Sequence, residues 1–381
     1  MEITGIICEY NPLHLGHVRQ LGLVRQENPD GGIVCLMSGN FVQRGEPALL
    51  DKALRAQAAV KCGADLVLEL PLTYALSSAE GFAAGGVRIL SPFCRRLSFG
   101  AETADRQALL SLAQGLLSSE FPEALRIQLD KGLSFPAARQ QALQAMLCDA
   151  SLLTAPNNIL AVEYCKAILS QGSAMIPAPI QRTGDYHAPA ADKNAPSATA
   201  VRLLMTQNAP WEEFVPVEAA EVFRGAPLHT LSAGEKAVLT RLRTMTDEDF
   251  EALPYGSEGL WRKLMHAARK HSRLHEIIDS VKSKRYTYTR INRMVLCAFL
   301  GLTQETLLSP APYTRVLAFN DRGREILNTA RQTGVFLNTG EASTDPYWQL
   351  EQRAGDLYGL FAPEPEPPGR EKQNRVYYHH R

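Results

Sequence analysis

Two histidines, His14 and His17, lie three residues apart in the stretch GIICEYNPLHLGH, directly after the first apolar run of the chain. If a helix begins between them, its unpaired backbone N–H groups and the positive end of its dipole attract a phosphate. Both rings could then aim nitrogens at one anion, and Gly16 would let a flat base or ribose approach the backbone. An ordinary strand–turn–helix corner with two surface histidines is the alternative, and the motif alone leaves both open.

Two further polar stretches follow strand-like runs. The loop SGNFVQRGEPALLDK contains Arg44 and Lys52, which could hold phosphates or a carboxylate, and the stretch SFGAE contains Gly100, which would leave room for a ligand. Loops at the carboxyl ends of neighbouring parallel strands meet at one edge of a sheet, where α/β proteins bind ligands. A solvated loop remains the alternative for the first stretch.

Later segments supply further polar groups and cations that could contact an anionic ligand. Asn157 lies in PNNILAVEY, Arg182 follows a Pro-containing run, and Ser197 opens the helix-like segment SATAVR. Ser197 and Thr199 could donate hydroxyls at the start of this helix, and Arg202 could neutralise charge that develops on the leaving group. A plain N-cap followed by a surface arginine is the alternative.

The elements that must position these side chains alternate between strand and helix. Strand-like runs at residues 3–8, 32–37, 65–70 and 97–100 are separated by helical patterns, which predicts a Rossmann-like α/β fold with a parallel sheet. Residues 103–150 read as helices that cover the sheet, and MIPAPIQR reads as an edge strand because proline cannot donate to a central ladder.

The pattern divides the chain into four regions. We expect a catalytic domain with the phosphate site over residues 1–207, a basic helical region over residues 208–305, a small α/β region over residues 306–361 and a disordered tail over residues 362–381. The tail is assigned from its Pro- and charge-rich composition.

Basic residues are concentrated in one part of the helical region. Residues 262–293 contain ten Lys and Arg but only two acidic residues, and tyrosines are interleaved in SKRYTYTR. Cations can follow an RNA backbone while such rings stack on exposed bases. A solvated helix face is the alternative. The residues predicted to contact RNA are Arg269, Lys270, Lys282, Lys284, Arg285, Tyr286, Arg290 and Arg293.

The overall composition is that of a soluble globular protein. Of the 381 residues, 45% are hydrophobic and 21% charged, and the 40 basic residues equal the 40 acidic ones, so total charge does not indicate a nucleic-acid partner. The seven cysteines include no CxxC pair, which predicts reduced thiols and no metal ligands. No apolar run reaches the roughly 18 residues that cross a bilayer. We expect a cytoplasmic protein.

Taken in order, EYNPLHLGH, SGNFVQRGEPALLDK, DLVLELP, SFGAE, PNNILAVEY and SATAVR resemble one bacterial family, the tRNA(Met) cytidine acetate ligases, which are HIGH-type nucleotidyltransferases. The resemblance continues through EGLWRKLMHAARK and VKSKRYTYTRINRM to about residue 330. It implies an enzyme that uses ATP, with Mg²⁺, to activate acetate as acetyl-adenylate. The acetyl group would then pass to N4 of the wobble cytidine in the anticodon loop of elongator tRNA(Met).

The resemblance also implies which residues bind ATP. His14 and His17 would contact the phosphates as the catalytic residues, and Gly100, Asn157 and Arg182 would complete the pocket. The central segment comprises Ile7, Cys8, Glu9, Tyr10, Asn11, Pro12, Leu13, His14, Leu15, Gly16, His17, Val18, Arg19 and Gln20. Leu13 and Leu15 replace the commoner Phe and Asn of this loop, and TGDYHA departs from the glycine-rich form, GAGYHD, expected of the family.

Two other functions fit part of the sequence. A small-molecule adenylyltransferase explains the two histidines but not the basic helical segment. A non-catalytic RNA-binding protein explains the basic segment but gives the histidines no role. Incubation with ATP, labelled acetate and tRNA distinguishes all three.

Overall fold

The computed structural model describes residues 1–146, 149–182, 196–331, 336–337 and 345–380. The loop TGDYHA lies outside these residues. The strands of the described chain are β1 (Ile3–Cys8), β2 (Gly32–Ser38), β3 (Phe41–Val42), β4 (Glu46–Pro47), β5 (Leu66–Leu70), β6 (Arg96–Ala101), β7 (Ile176–Gln181), β8 (Thr314–Asn320), β9 (Phe336–Leu337) and β10 (Tyr377–His379).

Helices from both halves of the chain cover the sheet, and a group of helices in the second half forms a separate layer. They are α1 (Leu15–Glu27), α2 (Lys52–Lys61), α3 (Leu72–Ala75), α4 (Ala79–Leu90), α5 (Arg106–Leu117), α6 (Phe121–Asp130), α7 (Phe135–Ala145), α8 (Pro156–Ser170), α9 (Ala198–Thr206), α10 (Val217–Phe223), α11 (Glu235–Thr244), α12 (Asp247–Glu251), α13 (Leu260–Lys270), α14 (Leu274–Val281), α15 (Tyr288–Leu300), α16 (Gln304–Leu308), α17 (Asp321–Ala330), α18 (Pro346–Tyr358) and α19 (Arg370–Gln373).

The main sheet has the order β10-β8-β5-β2-β1-β6-β7, with β9 pairing beside β8. Strands β5, β2, β1, β6 and β7 are mutually parallel, and β8 runs antiparallel to β5. The chain moves outward from β1 first through β2 and β5, and then returns to the other side of β1 as β6. This reversal opens a crevice at the carboxyl ends of β1 and β6, where doubly wound sheets bind ligands.

The predicted α/β class and parallel sheet are confirmed. The first strand has the predicted bounds, and the proline-containing strand β7 lies at the sheet edge as expected. Its neighbours β1, β2 and β5 are almost wholly buried, because helices cover both faces of the sheet and leave no face to water.

The helical region has its own hydrophobic core. Helices α11 to α15 pack their apolar faces together, and this core also includes Phe41 of β3 and Leu350 of α18. Gly45, in the β3–β4 turn, has φ +80°, and a Cβ there would lie 2.3 Å from the backbone nitrogen of Arg293. The turn therefore packs directly on α15, which joins the helical layer to the strand end beside the crevice.

Two predictions about the C-terminal third are wrong. The region expected to be a separate α/β unit contributes β8 to the main sheet, and the tail expected to be disordered forms α19 and β10, which pairs with β8. Glu371 in the tail is only 2% exposed, forms a 2.6 Å ion pair with Lys52 and also pairs with Arg315. The buried ion pairs of Glu371 with Lys52 and Arg315 hold the tail against the sheet. Composition alone does not reveal these partners.

In the described part of the chain, six cysteines are present as thiols and none of them forms a disulfide. Within the described residues, no helix has both the length and the apolar character needed to cross a membrane.

Candidate active site

The start of α1 is built by a reciprocal pair of histidine hydrogen bonds. His14 is the N-cap, and its Nδ1 accepts from the backbone N–H of Gly16 at 3.1 Å. His17 returns the contact, because its Nδ1 accepts from the backbone N–H of His14 at 3.2 Å. A Cβ on Gly16 would lie 3.0 Å from Cε1 of His14, so the glycine makes room for the ring rather than for a base.

These bonds fix the protonation of both rings. A ring nitrogen that accepts a hydrogen bond carries no proton, so each neutral imidazole is assigned its proton at Nε2. Burial, with smaller effects from Arg182 and Arg202, lowers the pKa of His14 to about 3. Burial, followed by the effects of His14 and Arg182, puts the pKa of His17 well below its ordinary value. The two rings, stacked with centroids 3.7 Å apart, are therefore neutral N–H donors.

Two cavities meet at these histidines. The larger, about 430 Å³, lies at the carboxyl ends of β1 and β6, and the smaller, about 70 Å³, lies between α1 and β7. Both are lined by His14, His17, Gln20, Gly100 and Arg182. A ligand in either cavity therefore lies beside the two histidines.

Most of the predicted ATP-binding segment reaches these cavities. The residues of the segment that line at least one cavity are Ile7, Cys8, Glu9, Tyr10, Asn11, His14, Gly16, His17, Arg19 and Gln20. Leu13 is fully buried in the core, and Pro12, Leu15 and Val18 line neither cavity. These four positions hold the turn and the packing of α1 rather than the ligand.

Gly100 and Arg182 lie side by side where β6 and β7 end. A Cβ on Gly100 would lie 3.0 Å from Cγ of Arg182, so the space beside this glycine is occupied by the arginine stem. Arg182 lines both cavities and contributes positive charge to the histidines. Both residues therefore line the same cavities, and ATP binding by them stays a prediction.

Asn157 is positioned by a carboxylate that the sequence did not single out. Glu102 accepts from Nδ2 of Asn157 at 2.6 Å and from the backbone N–H of Asn158 at 2.7 Å, at the start of α8. Both oxygens of Glu102 are therefore engaged, and Asn157 is held on the wall of the larger cavity.

The three residues predicted at the start of α9 have different roles. Ser197 is buried and caps the helix by accepting from the backbone N–H of Ala200 at 3.1 Å, and it lines neither cavity. Thr199 and Arg202 do line the larger cavity. Nη1 of Arg202 donates to the carbonyl of Asn11 at 2.7 Å, which ties α9 to the histidine loop.

The loop after β2 provides one cavity cation, not two. Arg44 lines the larger cavity, as predicted. The prediction for Lys52 is wrong, because its ammonium is buried and forms 2.6 Å ion pairs with Glu69 and Glu371. An ammonium paired in this way is unavailable to a phosphate.

Arg55 is the largest omission from the sequence analysis. Its guanidinium is completely buried and donates to the carbonyls of Leu50 at 2.8 Å, Glu9 at 2.6 Å, Ser38 at 3.1 Å and Gly39 at 2.5 Å. These carbonyls lie at the ends of β1 and β2 and in the loop before α2. The position looks like one of several helix cations, so only the fold reveals it.

The predicted RNA-contacting residues fall into two groups. Arg269, Lys270, Lys282, Lys284 and Arg285 are exposed. Arg269 forms an ion pair with Asp247, and Arg285 pairs with Glu258 at 3.0 Å. Tyr288 is 49% exposed and is packed beneath the ammonium of Lys282, 5.4 Å from its ring centroid.

The other predicted RNA contacts are corrected by the structure. Tyr286 is 3% exposed, and its hydroxyl donates to the carbonyl of Glu258 at 2.6 Å, so this ring cannot stack on a base. Arg293 is 8% exposed and donates to the carbonyl of Gln43 at 3.1 Å. Arg290 is half-buried and donates to the carbonyl of Tyr255. Their apolar or carbonyl partners lie too far away in sequence to be predicted.

The chain is similar to proteins of known family and structure. A family model described as HIGH Nucleotidyl Transferase matches residues 1–374. A relative from Clostridium novyi, named tRNA(Met) cytidine acetate ligase, is 37% identical over 351 residues, which is 87% of this chain and 88% of the relative. Another of the same name, from Clostridium perfringens, is 36% identical over 389 residues, which is 95% of this chain and 96% of the relative.

Solved structures agree with these relatives. The apo crystal structure of Thermotoga maritima TmcAL superimposes with a TM-score of 0.92 at 29% identity, and the form bound with alpha-thio ATP superimposes with a TM-score of 0.89 at 29% identity. Each comparison covers 100% of both chains.

The histidine pair gives a test of the electrostatics. Because burial lowers both pKa values, His14 and His17 should stay neutral while an added histidine peptide titrates at about 6.5. Proton NMR of the ring C2 protons between pH 5.5 and 8 should therefore show constant shifts for both residues. An inflection for either ring within this range would contradict the assignment of neutral donors.

Proposed function

Because the chain belongs to the HIGH nucleotidyl transferase family, within which its relatives are tRNA(Met) cytidine acetate ligases, we propose that it activates acetate and delivers it to the wobble cytidine of elongator tRNA(Met) in the cytoplasm. The chain is an ATP-dependent ligase that acetylates a tRNA cytidine. Acetate as the acyl source and the anticodon loop as the target are the proposed refinements.

The observation that carries the proposal is the pair of neutral N–H donors at the junction of two cavities. An acetate oxygen attacks the α-phosphorus of ATP, and the bond to the β-phosphate oxygen breaks to release pyrophosphate. Nε2–H groups of His14 and His17 can donate to phosphate oxygens without carrying a charge of their own. Preorganised donors of this kind stabilise charge that develops in the transition state.

Cations around the same junction can stabilise the negative charge of the departing pyrophosphate. Arg182 lines both cavities, and Arg44 and Arg202 line the larger one. Among the described residues, no group of three His, Cys, Asp or Glu side chains could hold a metal, so Mg²⁺ would enter with the ATP phosphates and water. The chain then supplies positioning and fixed charge, which is most of what phosphoryl chemistry requires.

The location of the basic segment supports RNA as the acceptor. Thr289, on the first turn of α15, lines the larger cavity, and the exposed cations Lys282, Lys284 and Arg285 precede it in the chain. A single-stranded loop held by these cations could insert an unstacked base into the cavity, which costs less than opening a duplex. Tyr288 offers an exposed ring beside the same rim, in place of the buried Tyr286.

A product assay tests the proposed reaction. With ATP, labelled acetate and tRNA, digestion should yield labelled N4-acetylcytidine from the wobble position. His17→Ala should lower its formation about 10²–10³-fold, the usual effect of removing one transition-state donor, while tRNA binding stays within about twofold. Adenylation of a different small molecule without tRNA labelling would favour an adenylyltransferase. Binding of tRNA with neither chemistry would favour a non-catalytic protein.

The second prediction concerns the exposed cations. A triple variant, Lys282→Glu, Lys284→Glu and Arg285→Glu, should weaken tRNA binding about tenfold or more and flatten its salt dependence, because phosphate contacts are lost. Acetate-dependent ATP–pyrophosphate exchange should remain intact, since these side chains lie outside the cavities.

The matched control reverses charge on another surface. Arg106→Glu with Lys131→Glu changes two exposed cations on α5 and just after α6 and should leave tRNA binding within about twofold. Equal losses in both variants, or loss of exchange in the triple variant, would contradict the proposed docking surface.

A further inference from the structure

The carboxylate of Glu9 faces the larger cavity with one oxygen uncommitted. Glu9 directly follows β1, and its Oε1 accepts from the backbone N–H of Gln43 at 2.8 Å. Within the described chain, the structure gives no hydrogen bond to Oε2. The side chain is thus held by one oxygen and presents the other to the space that His14 and His17 also line.

Besides Glu9, the larger cavity is lined by one other described carboxylate, that of Glu46 on β4, and its histidines and arginines are poor proton acceptors. Nδ1 of His14 and Nδ1 of His17 are engaged by backbone N–H groups, and their Nε2 atoms carry the protons. Arg44, Arg182 and Arg202 are cations, which cannot serve as bases at neutral pH.

The surroundings of Glu9 make its carboxylate a stronger base than an exposed one. Burial raises the pKa of Glu9, and the Gln43 N–H and the nearby Arg44, Arg202 and Arg55 oppose this only in part. A general base is most effective when its pKa approaches the working pH. The same arginines keep an anionic carboxylate compatible with a phosphate nearby.

We propose that Glu9 is the catalytic residue that takes the proton from the cytidine amine during acyl transfer, an inference that rests on the proposed function. N4 of cytidine attacks the carbonyl carbon of acetyl-adenylate and forms a C–N bond. The bond from that carbon to the phosphate oxygen breaks, and AMP leaves with the electron pair. One N4 proton passes to Oε2 of Glu9 and then to water, which leaves the amide neutral.

A hydrogen-bonded chain connects this carboxylate to the helical layer. Gln43 donates its N–H to Glu9, and its carbonyl accepts from Nη1 of Arg293 on α15. The guanidinium of Arg293 in turn packs over the ring of Tyr255, 5.0 Å from its centroid. The helix that follows the exposed cations thus also fixes the orientation of the proposed base.

The test separates the two half-reactions. For Glu9→Gln, the rate of acetate-dependent ATP–pyrophosphate exchange should stay within about threefold of wild type. The single-turnover rate of acetyl transfer from preformed acetyl-adenylate to tRNA should fall about 10²-fold or more. Glu9→Asp, which keeps a carboxylate, should recover part of the transfer rate. In the wild type, the transfer rate should fall as pH drops through the raised pKa of Glu9, and in Glu9→Gln this dependence should disappear.

Glu46→Gln is the matched comparison, because Glu46 also lines the larger cavity, on β4. A larger transfer loss in Glu46→Gln than in Glu9→Gln, wild-type transfer by Glu9→Gln, or equal losses of exchange and transfer would overturn the assignment. Cooperative unfolding and unchanged tRNA binding establish that each variant is folded. A wild-type protein that performs exchange but labels no tRNA would instead contradict the proposed function itself.

Discussion

The buried guanidinium of Arg55 joins three segments of backbone that would otherwise end independently. It donates to carbonyls at the end of β1, at the end of β2 and in the loop before α2, and its side chain is fully buried. A guanidinium stays charged even when buried, so each carbonyl that it meets is strongly held. Because the carbonyl of Glu9 is one of them, the histidine loop begins from a fixed point, and every contact of the site depends on that point.

Other hydrogen bonds between side chains and backbone groups hold the rest of the site. Arg202 holds the carbonyl of Asn11, and the two histidines cap α1 through each other's neighbouring N–H groups. The cap serves structure and chemistry together, because the same bonds that start the helix place the protons on the outward nitrogens. Nucleotide activation and proton transfer can then occur at one sheet edge with no charged histidine.

Local patterns predict what is close in sequence. The positions of β1, β2, β5 and β6, the edge strand β7 and the Ser197 cap follow from periodicity and spacing, and all of them are found. The buried charges do not follow, because Lys52 meets Glu371 and Arg315 meets Glu69 across hundreds of residues. A charge with a distant partner looks like a solvated one in the sequence. For that reason composition predicts a disordered tail and an RNA contact at Arg293, and burial of Tyr286 against the carbonyl of Glu258 is equally invisible in the sequence.

The role of Arg55 is tested most directly by using calorimetry to measure the affinity of an Arg55→Lys variant for ATP. A lysine ammonium has a single donor centre and cannot span the four carbonyls that the guanidinium contacts. We expect the variant to unfold cooperatively but to bind ATP at least about tenfold more weakly, the equivalent of about 1.4 kcal/mol. A folded Arg55→Lys variant that binds ATP as tightly as the wild type would contradict the claim that this guanidinium fixes the site.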